Sequence, residues 1–536
     1  MTCSIPSAST RAVAALCERR PRSVAVLASA VAIAAALSVS RADAATLNVC
    51  PSGCPYTQIA PALAAASSGD TIDVGAGTYR GGLTIKLDVN LVGAGAGATI
   101  ISGGNSVLTI GTYGATSEPT VSISGVAITG GVARSSPESI PFTGQAGAFA
   151  LGGGIEIPQN AAGTGGATVT IDNSAITNNS AIPSNPDPHV NPFAGGGGID
   201  NRGTLALTNT TVTDNRTGGN LASGASGGGI LSWTDLTLRN SVVNDNHAIA
   251  TGPSACFTGG GGIESFGKIA IDATSVSDDT VELSSASNCG ESQGGGIFVQ
   301  DGGSATINHA MVRQNRVTAS SAGGDAIAYS GGIADYGTLS LADSTIEQNR
   351  VSATTAAASG TANPAAGGIG IVSPNKGTIS NTSVTGNVVS ATAPSGVAAA
   401  SAGAIQTGET TLSNSLISDN RVTASSQTGS ATVHGAGIEH RNGLLAIRNT
   451  AITNNTANAT GPTREALGGG IWNDEFFPPP PNPQLILENT IVSDNALTAS
   501  SGITIHGAGL FTTFPVTIRN STIRHNEPDS CFGESC

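Results

Sequence analysis

A pair of short motifs repeats eleven times between residues 152 and 526, and this repeat limits the fold more than any other feature. Successive copies begin roughly 35 residues apart, a spacing typical of solenoid proteins. Each copy opens with a run of small residues, mostly glycine, that ends in an aliphatic residue. The aliphatic residues are Ile155, Ile199, Ile230, Ile263, Ile297, Ile333, Ile369, Ile405, Ile438, Ile471 and Leu510.

Each copy closes with an aliphatic residue three positions before an Asn or, once, an Asp. These closing residues are Asn179, Asn215, Asn246, Asp279, Asn315, Asn349, Asn387, Asn420, Asn455, Asn495 and Asn526. A second Asn usually stands six positions earlier, as Asn209 does before Asn215. Asn tolerates left-handed corners, and stacked Asn amides can hydrogen-bond to one another. The spacing therefore predicts corners and Asn ladders.

Between the two motifs, aliphatic residues alternate with polar ones, as at Leu205 and Leu207. A period of two predicts short strands with one buried face. The segment from the aliphatic residue to the closing Asn is usually 15–18 residues long, which allows three strands and two tight corners. The Ala, Ser, Thr and Gly residues after each closing Asn are expected to form an outward loop, and whether that loop adds a fourth strand stays open.

Composition favours a core of small aliphatic side chains, because the chain has 73 glycines and only 3% aromatic residues. Glycine and β-branched residues fill every candidate segment, which disfavours a solenoid of helices. One coil buries too little apolar surface to fold alone, so the coils must stack. We therefore predict a single-domain, all-β parallel β-helix with about 11 coils over residues 131–526.

The amino terminus is typical of an export signal. Basic residues Arg19, Arg20 and Arg22 precede the apolar run 23–40, and Ala42 and Ala44 place small residues at positions −3 and −1. We expect residues 1–44 to be a signal peptide that is cleaved before Ala45, so that the protein is secreted or lies at the cell surface. No membrane span is expected in the mature chain.

Residues 45–130 are expected to form a cap and the first coils. The run 56–59, a short amphipathic segment at 60–66 and the strand-like pair Leu83 and Ile85 resemble the amino-terminal cap of the pectin-lyase-like right-handed β-helix superfamily. The repeats are similar to those of the bacterial polymorphic outer-membrane proteins, which pair a Gly-Gly-Ala-aliphatic run with Phe-x-x-Asn. This sequence uses Gly for that Ala and Ile or Val for that Phe. The resemblance implies a right-handed parallel β-helix with a capping helix, and it does not specify an activity.

Six cysteines follow the predicted signal: Cys50, Cys54, Cys256, Cys289, Cys531 and Cys536. Cys256 and Cys289 stand seven and eight residues before Ile263 and Ile297, so the repeat places them in equivalent loops of adjacent coils. We predict a Cys256–Cys289 disulfide, a Cys50–Cys54 clasp and a Cys531–Cys536 clasp in a tail at 527–536. An exported chain with an even cysteine count favours disulfides over a metal site.

The formal net charge is −14, and removal of the signal makes the chain more acidic still. Such a chain is not suited to nucleic acid or anionic membranes. It is also poorly suited to polyanionic sugars, unless divalent cations mediate the contact between the two. A carbohydrate, a matrix or a cell-surface component is the expected partner.

The residue after each repeat aliphatic is expected to point outward, and two parts of this row are candidate sites. Glu156, Asp200 and Glu264, with Arg202 nearby, could hold Ca²⁺, which is the one cofactor that the sequence suggests. Glu439, His440 and Arg441, beside Trp472 and Asp474, could combine an acid/base pair with a sugar-stacking ring under a proline-rich loop at 476–484. Solvated surface charge is the alternative interpretation of both groups.

Trp233, Phe266 and Tyr336 share a position three residues after the repeat aliphatic. They are a possible carbohydrate-stacking strip, and burial beneath a loop is the alternative. Three functions stay open: an adhesin-like surface protein that binds a partner, a polysaccharide lyase or hydrolase, and a structural envelope protein. The first is preferred, because neither the Gly-His-Gly nor the Asn-Thr-Asp motif of polygalacturonases is present and the match to a pectate-lyase calcium site is partial.

Overall fold

The computed structural model describes residues 44–134, 148–183, 192–252, 255–286, 290–372, 375–474, 484–499 and 504–533. Residues 1–43 of the predicted signal lie outside this part of the chain. The described residues form a parallel β-helix of five long parallel sheets with a single α-helix, Ile59–Ala65. The predicted all-β solenoid is confirmed, and no described helix has the length and apolar character needed to cross a membrane.

A complete coil contains five short strands. In one coil these are Thr204–Thr208, Thr211–Thr213, Arg216–Gly219, Gly224–Ser226 and Ile230–Ser232. Each strand pairs in parallel with the strand at the same position in the next coil, as Leu205 does with Leu236. We number the sheets first to fifth in this order along the chain.

The first sheet has 15 strands and the second has 14. The strands of the first sheet are Thr46–Val49, Asp70–Val74, Val89–Gly93, Thr120–Ser124, Thr168–Asp172, Thr204–Thr208, Leu236–Arg239, Lys268–Asp272, Ser304–Asn308, Thr338–Ala342, Lys376–Ser380, Glu409–Ser413, Leu444–Arg448, Gln484–Glu488 and Val516–Arg519. Those of the second sheet are Gly77–Arg80, Thr99–Ser102, Ala127–Thr129, Ala175–Thr177, Thr211–Thr213, Val242–Asn244, Ser275–Ser277, Met311–Arg313, Thr345–Glu347, Ser383–Thr385, Leu416–Ser418, Ala451–Thr453, Ile491–Ser493 and Thr522–Arg524.

The third and fourth sheets have 11 strands each, and the fifth has 14. The third sheet comprises Val132–Arg134, Ser180–Ile182, Arg216–Gly219, His247–Ala250, Thr280–Ser285, Arg316–Ser321, Arg350–Thr355, Val388–Thr392, Arg421–Ser425, Thr456–Thr460 and Ala496–Ala499. The fourth comprises Phe149–Leu151, Phe193–Gly195, Gly224–Ser226, Phe257–Gly259, Glu291–Gln293, Ala326–Tyr329, Thr361–Ala365, Val397–Ser401, Ser430–His434, Thr463–Leu467 and Thr504–His506. The fifth comprises Leu83–Ile85, Leu108–Ile110, Ile155–Ile157, Ile199–Asn201, Ile230–Ser232, Ile263–Ser265, Ile297–Val299, Ile333–Asp335, Ile369–Ile371, Ile405–Thr407, Ile438–His440, Ile471–Asn473, Leu510–Thr512 and Cys531–Gly533.

The first, second and fifth sheets enclose one core, and we call this part the body. Its core consists mainly of the Ile, Leu and Val residues that the repeat predicts to be buried. The helix Ile59–Ala65 buries Ile59, Ala62 and Leu63 against the first strands, which agrees with the predicted cap. The Cys50–Cys54 disulfide is present.

The third and fourth sheets pack face to face and form what we call the fin. Their facing residues make a second core of Ala and Val, with a few Leu. The prediction of an outward loop after each closing Asn is therefore wrong, because these residues alternate between buried and outer positions and pair from coil to coil. The side chains of this core are small, which allows the two sheets to lie close together.

The two repeat motifs meet where the body joins the fin, a region we call the waist. Asn349 Nδ2 donates to Asn387 Oδ1 at 3.0 Å and to the Val312 carbonyl at 3.0 Å. The same pattern links the closing residues of neighbouring coils and confirms the predicted ladder. A Cβ on Gly332 would stand 2.6 Å from the Gly368 carbonyl oxygen and 3.1 Å from Asn349 Nδ2. The glycine run therefore leaves room for the Asn ladder.

Cys256 and Cys531 are also disulfide-bonded. Their predicted partners, Cys289 and Cys536, lie outside the described residues, so these two pairings stay predictions.

Candidate functional site

The outer faces of the fourth and fifth sheets turn toward each other along the solenoid, and we call this region the corner. The ring of Phe257, on the fourth sheet, lies 6.2 Å from that of Phe298, on the fifth. The middle residue of each fifth-sheet strand faces the corner, and Glu264, Phe298 and Trp472 at this position are at most 3% exposed. The row does point away from the body core, as predicted, but the fin covers it. The interpretation of these residues as solvated surface is therefore wrong.

Aromatic side chains are concentrated in the corner, although they are scarce in the chain. Most of those in the described residues lie there: Phe149, Phe193, Trp233, Phe257, Phe266, Phe298, Tyr329, Tyr336, Trp472, Phe511 and Phe532. Four of them, Trp233, Phe266, Tyr336 and Trp472, are the binding candidates predicted from the sequence, whereas Phe149, Phe193 and Phe257 were not predicted. Each of these three stands six residues before the repeat aliphatic of its coil, a regularity that could have shown them to be equivalent.

At the early coils the aromatic rings form a stack with an arginine. The rings of Trp233 and Phe266 are parallel, with centroids 4.4 Å apart, and the Arg202 guanidinium carbon lies 5.1 Å from the Trp233 ring centroid. Asp200 accepts from Trp233 Nε1 and from Arg202 Nε, each at 3.1 Å. The carboxylate thus positions both neighbours, and burial raises the pKa of Asp200 while Arg202 and Trp233 oppose that rise.

This stack borders a cleft of about 370 Å³. Its walls are Gln159, Gly163, Gly165, Arg202, Trp233, Thr234 and Phe266. Apolar ring edges, one guanidinium group and a side-chain amide make a surface suited to a ligand with both apolar and hydrogen-bonding groups. Since Arg202 and Phe266 cover the two faces of Trp233, a sugar would meet the ring edge and not the open ring face. Tyr336 lies farther along the row, where its ring meets Phe298 edge-on at 5.5 Å.

The structure does not bring together the three carboxylates proposed for Ca²⁺. Glu156 is in register with Asp200, but Leu231 stands between Asp200 and Glu264. Glu264 accepts from Gln300 Nε2 at 2.7 Å, and burial raises its pKa to about 7. Within the described ranges, no group of three Asp, Glu, His or Cys residues is placed to hold a metal ion.

The predicted acid/base pair at the late coils is also not assembled, because Glu439 and His440 point to opposite faces of one strand. Glu439 faces the corner, with Oε1 3.0 Å from Arg441 Nη2 and Oε2 2.9 Å from Gln406 Nε2. His440 points into the body and is fully buried. Its Nδ1 lies 2.7 Å from Asn473 Oδ1, and its Nε2 lies 2.9 Å from the Asn442 carbonyl oxygen. Burial lowers the pKa of His440, so the ring is neutral at pH 7.

Trp472 lies in the corner as predicted, but its nearest aromatic partner was not predicted. The imidazole of His434, at the end of a fourth-sheet strand, stacks on the indole at 4.9 Å with an angle of 9° between the planes. Burial lowers the pKa of His434. The Thr513 hydroxyl donates a hydrogen bond to Asp474 Oδ1. Residues 476–483 of the proline-rich loop lie outside the described residues.

The corner therefore combines apolar rings with carboxylates that already have partners. Arg202 neutralises Asp200, and Arg441 neutralises Glu439. Such an arrangement can bind a ligand by packing and hydrogen bonds, and among the described residues neither Asp200 nor Glu439 belongs to an exposed acid/base pair on one face of a strand. The fold and the corner together define a parallel β-helix protein with an aromatic cleft between body and fin.

A search for related families finds none whose model matches this chain, and a search of curated proteins finds no significant match.

Proposed function

We propose that this chain is a secreted, surface-type β-helix protein that binds a carbohydrate or another cell-surface component in the corner, without turning it over. The concentration of aromatic side chains in the corner carries this proposal. Aromatic residues are 3% of the chain, and the body core is built almost entirely from aliphatic residues. Phe298 and Trp472 pack the fin against the body, but Trp233 and Phe266 stay partly exposed beside the cleft, which is typical of a binding surface.

The arrangement of the polar groups supports binding over catalysis. The carboxyl groups of Asp200 and Glu439 are buried and bonded to arginines. A general acid or base must reach the substrate, and the partner proposed for Glu439, His440, faces the interior of the body. A polysaccharide lyase or hydrolase is therefore the second choice, and a structural envelope protein is the third.

Binding and turnover can be measured together on immobilised neutral and acidic polysaccharides, with and without Ca²⁺. We expect saturable binding to at least one of them and no new reducing ends or unsaturated products. Trp233→Ala and Phe266→Ala should each weaken binding about tenfold, as loss of a central aromatic contact does. Tyr113→Ala is the matched control, because Tyr113 is 45% exposed and does not line the cleft.

Two results would overturn the proposal. One is turnover that Glu439→Gln abolishes, which would favour the enzyme. The other is binding that neither Trp233→Ala nor Phe266→Ala weakens beyond the Tyr113→Ala control.

A further inference from the structure

The fin has a second outer face, on the third sheet, whose chemistry differs from that of the corner. The first outward position of its strands carries four arginines: Arg216, Arg316, Arg350 and Arg421. All four side chains are exposed. Arg316 and Arg350 lie directly side by side in adjacent coils. We call this surface the arginine face.

Among the described residues the four arginines form no ion pairs, although the exposed Glu282 lies on the same face in the coil before Arg316. Within the part of the chain that the structure describes, the four guanidinium groups have no carboxylate within the 4.0 Å of an ion pair. Like charges directly opposite each other in a sheet are destabilising. Arg448, on the first sheet, does have such a partner, Glu488, at 3.1 Å. The adjacent, unpaired Arg316 and Arg350 on a chain of net charge −14 therefore cost stability, and a ligand that bridges them would offset that cost.

Hydroxyl groups flank the arginines on the same strands. The second outward position carries Thr318, Ser352, Ser390 and Thr423 in successive coils, and the third carries Ser320, Thr354, Thr392 and Ser425. Neighbouring members of a column stand about 4.8 Å apart, and the two columns are roughly 6.6 Å apart. Arg316 Nε donates to Thr318 Oγ1 at 3.0 Å, which holds that guanidinium group beside the hydroxyl columns.

We propose that the arginine face binds a linear polysaccharide that carries sulfate esters and runs along the solenoid axis. A sulfate ester has three terminal oxygens and can bridge the guanidinium groups of Arg316 and Arg350, whereas one carboxylate matches a single guanidinium fork. The hydroxyl columns offer donors and acceptors to the hydroxyl groups of the sugar. The described third-sheet strands contain no Phe, Tyr or Trp, so the face lacks the rings on which the bases of a single-stranded nucleic acid stack.

Repetition makes an extended polymer a better fit than a single anion. The hydroxyl columns continue over successive coils and four coils carry an arginine at the first outward position, so that one polymer chain can bind several coils at once and gain avidity. The arginine face lies on the opposite side of the fin from the corner, and this inference does not depend on the proposed function of the corner.

The test compares dextran sulfate with unmodified dextran on the purified protein by calorimetry. We expect binding to dextran sulfate alone, weakened strongly when the salt concentration is raised from 0.05 to about 0.5 M, because screening shortens the range of exposed charges. The double variant Arg316→Gln/Arg350→Gln should raise the Kd at least about tenfold, since each lost charge-assisted hydrogen bond has an effect of that order.

Matched controls separate the site from net charge. Arg239→Gln/Arg519→Gln removes the same charge from the outer face of the first sheet, where Arg239 stands beside Asp272, and should change the Kd less than about twofold. Thermal melts of both double variants check that the fold is intact. Equal weakening by the two double variants, no binding of dextran sulfate, or equally tight binding of polygalacturonate or single-stranded DNA would overturn the inference.

Discussion

Asp279 is the one closing residue that is not Asn, and its surroundings show what the ladder requires. Its Oδ1 accepts from the backbone nitrogen and the side-chain amide of Asn246, both at 2.9 Å. Its Oδ2 is buried and has no hydrogen-bond partner, whereas an Asn at this position would place a donor there. Burial raises the pKa of Asp279 well above its usual value. A protonated carboxyl group can donate from Oδ2 and so replace the amide.

We predict that Asp279→Asn stabilises the protein, and that the gain grows with pH. The unfolded carboxyl group ionises near pH 3.9, whereas the folded one keeps its proton to a higher pH. The folded state therefore binds more protons in this interval, and the stability that the carboxyl group contributes falls as pH rises from about 4 through the folded pKa. The amide does not titrate, and it should add about 1–3 kcal/mol to the free energy of unfolding at pH 8.

Urea denaturation of the native protein and of Asp279→Asn at pH 5 and pH 8 measures this difference. Glu264 and Asp335, whose pKa values burial raises to about 7, titrate in both proteins and largely cancel. A gain at pH 8 no larger than that at pH 5 would show that Asp279 is not a ladder residue held in its protonated form.

The strands of the fin show the limit of what sequence patterns predict. The period-two aliphatic pattern of the body strands is strong, and it gave the correct strands, inward faces and register. In the fin strand Arg350–Thr355 the inward residues are Val351, Ala353 and Thr355. Ala and Thr differ little in hydropathy from the Ser and Thr residues that face outward, so the alternation is weak in the sequence. The fin was therefore missed, and with it the burial of the corner.

Two adjacent residues of that strand provide a matched test of the fin. Ala353 is 1% exposed in the fin core, and Ser352 lies half-exposed on the outer face. We predict that Ala353→Leu lowers the free energy of unfolding by about 1–3 kcal/mol, because the thin core has no room for three more carbons. Ser352→Leu should change it by less than about 0.5 kcal/mol. Equal, small effects of the two variants in thermal or urea denaturation would indicate a solvated loop.

Gly332, in the glycine run that lies at the waist, provides a test of the packing there. A single methyl group is tolerated there, since Ala404 occupies the position equivalent to Gly332. A branched side chain would collide with the next coil, whose Gly368 carbonyl oxygen is 2.6 Å from the position of a Gly332 Cβ. Gly332→Val should therefore destabilise the protein by about 1–3 kcal/mol or more. The control is Gly97→Val, because a Cβ on Gly97 meets no atom within 4 Å. An equally large loss of stability in the control would contradict the close packing of coils at the waist.

At the scale of the whole molecule, about 60–70 Å of stacked coils carry two different outer surfaces on the two sides of one fin. The repeat spacing placed the aromatic residues Trp233, Phe266 and Trp472 on the coils correctly. It could not show that the fin would cover the row of residues that follow the repeat aliphatics. The pairing of Glu439 with His440 failed for a simpler reason. Consecutive residues of a strand face opposite sides, so neighbours in sequence are separated by the sheet.

The most direct test of the account uses tryptophan fluorescence. The chain has two tryptophans, Trp233 and Trp472, and both lie in the corner, so their emission reports on any ligand that enters it. Titration with a neutral polysaccharide that the protein binds, which the arginine face is not expected to hold, should change the emission saturably, with the midpoint equal to the Kd from calorimetry. Trp233→Phe and Trp472→Phe then assign the change to the early or the late coils. A neutral polysaccharide that binds by calorimetry and leaves the emission of both tryptophans unchanged would contradict the corner as the binding site.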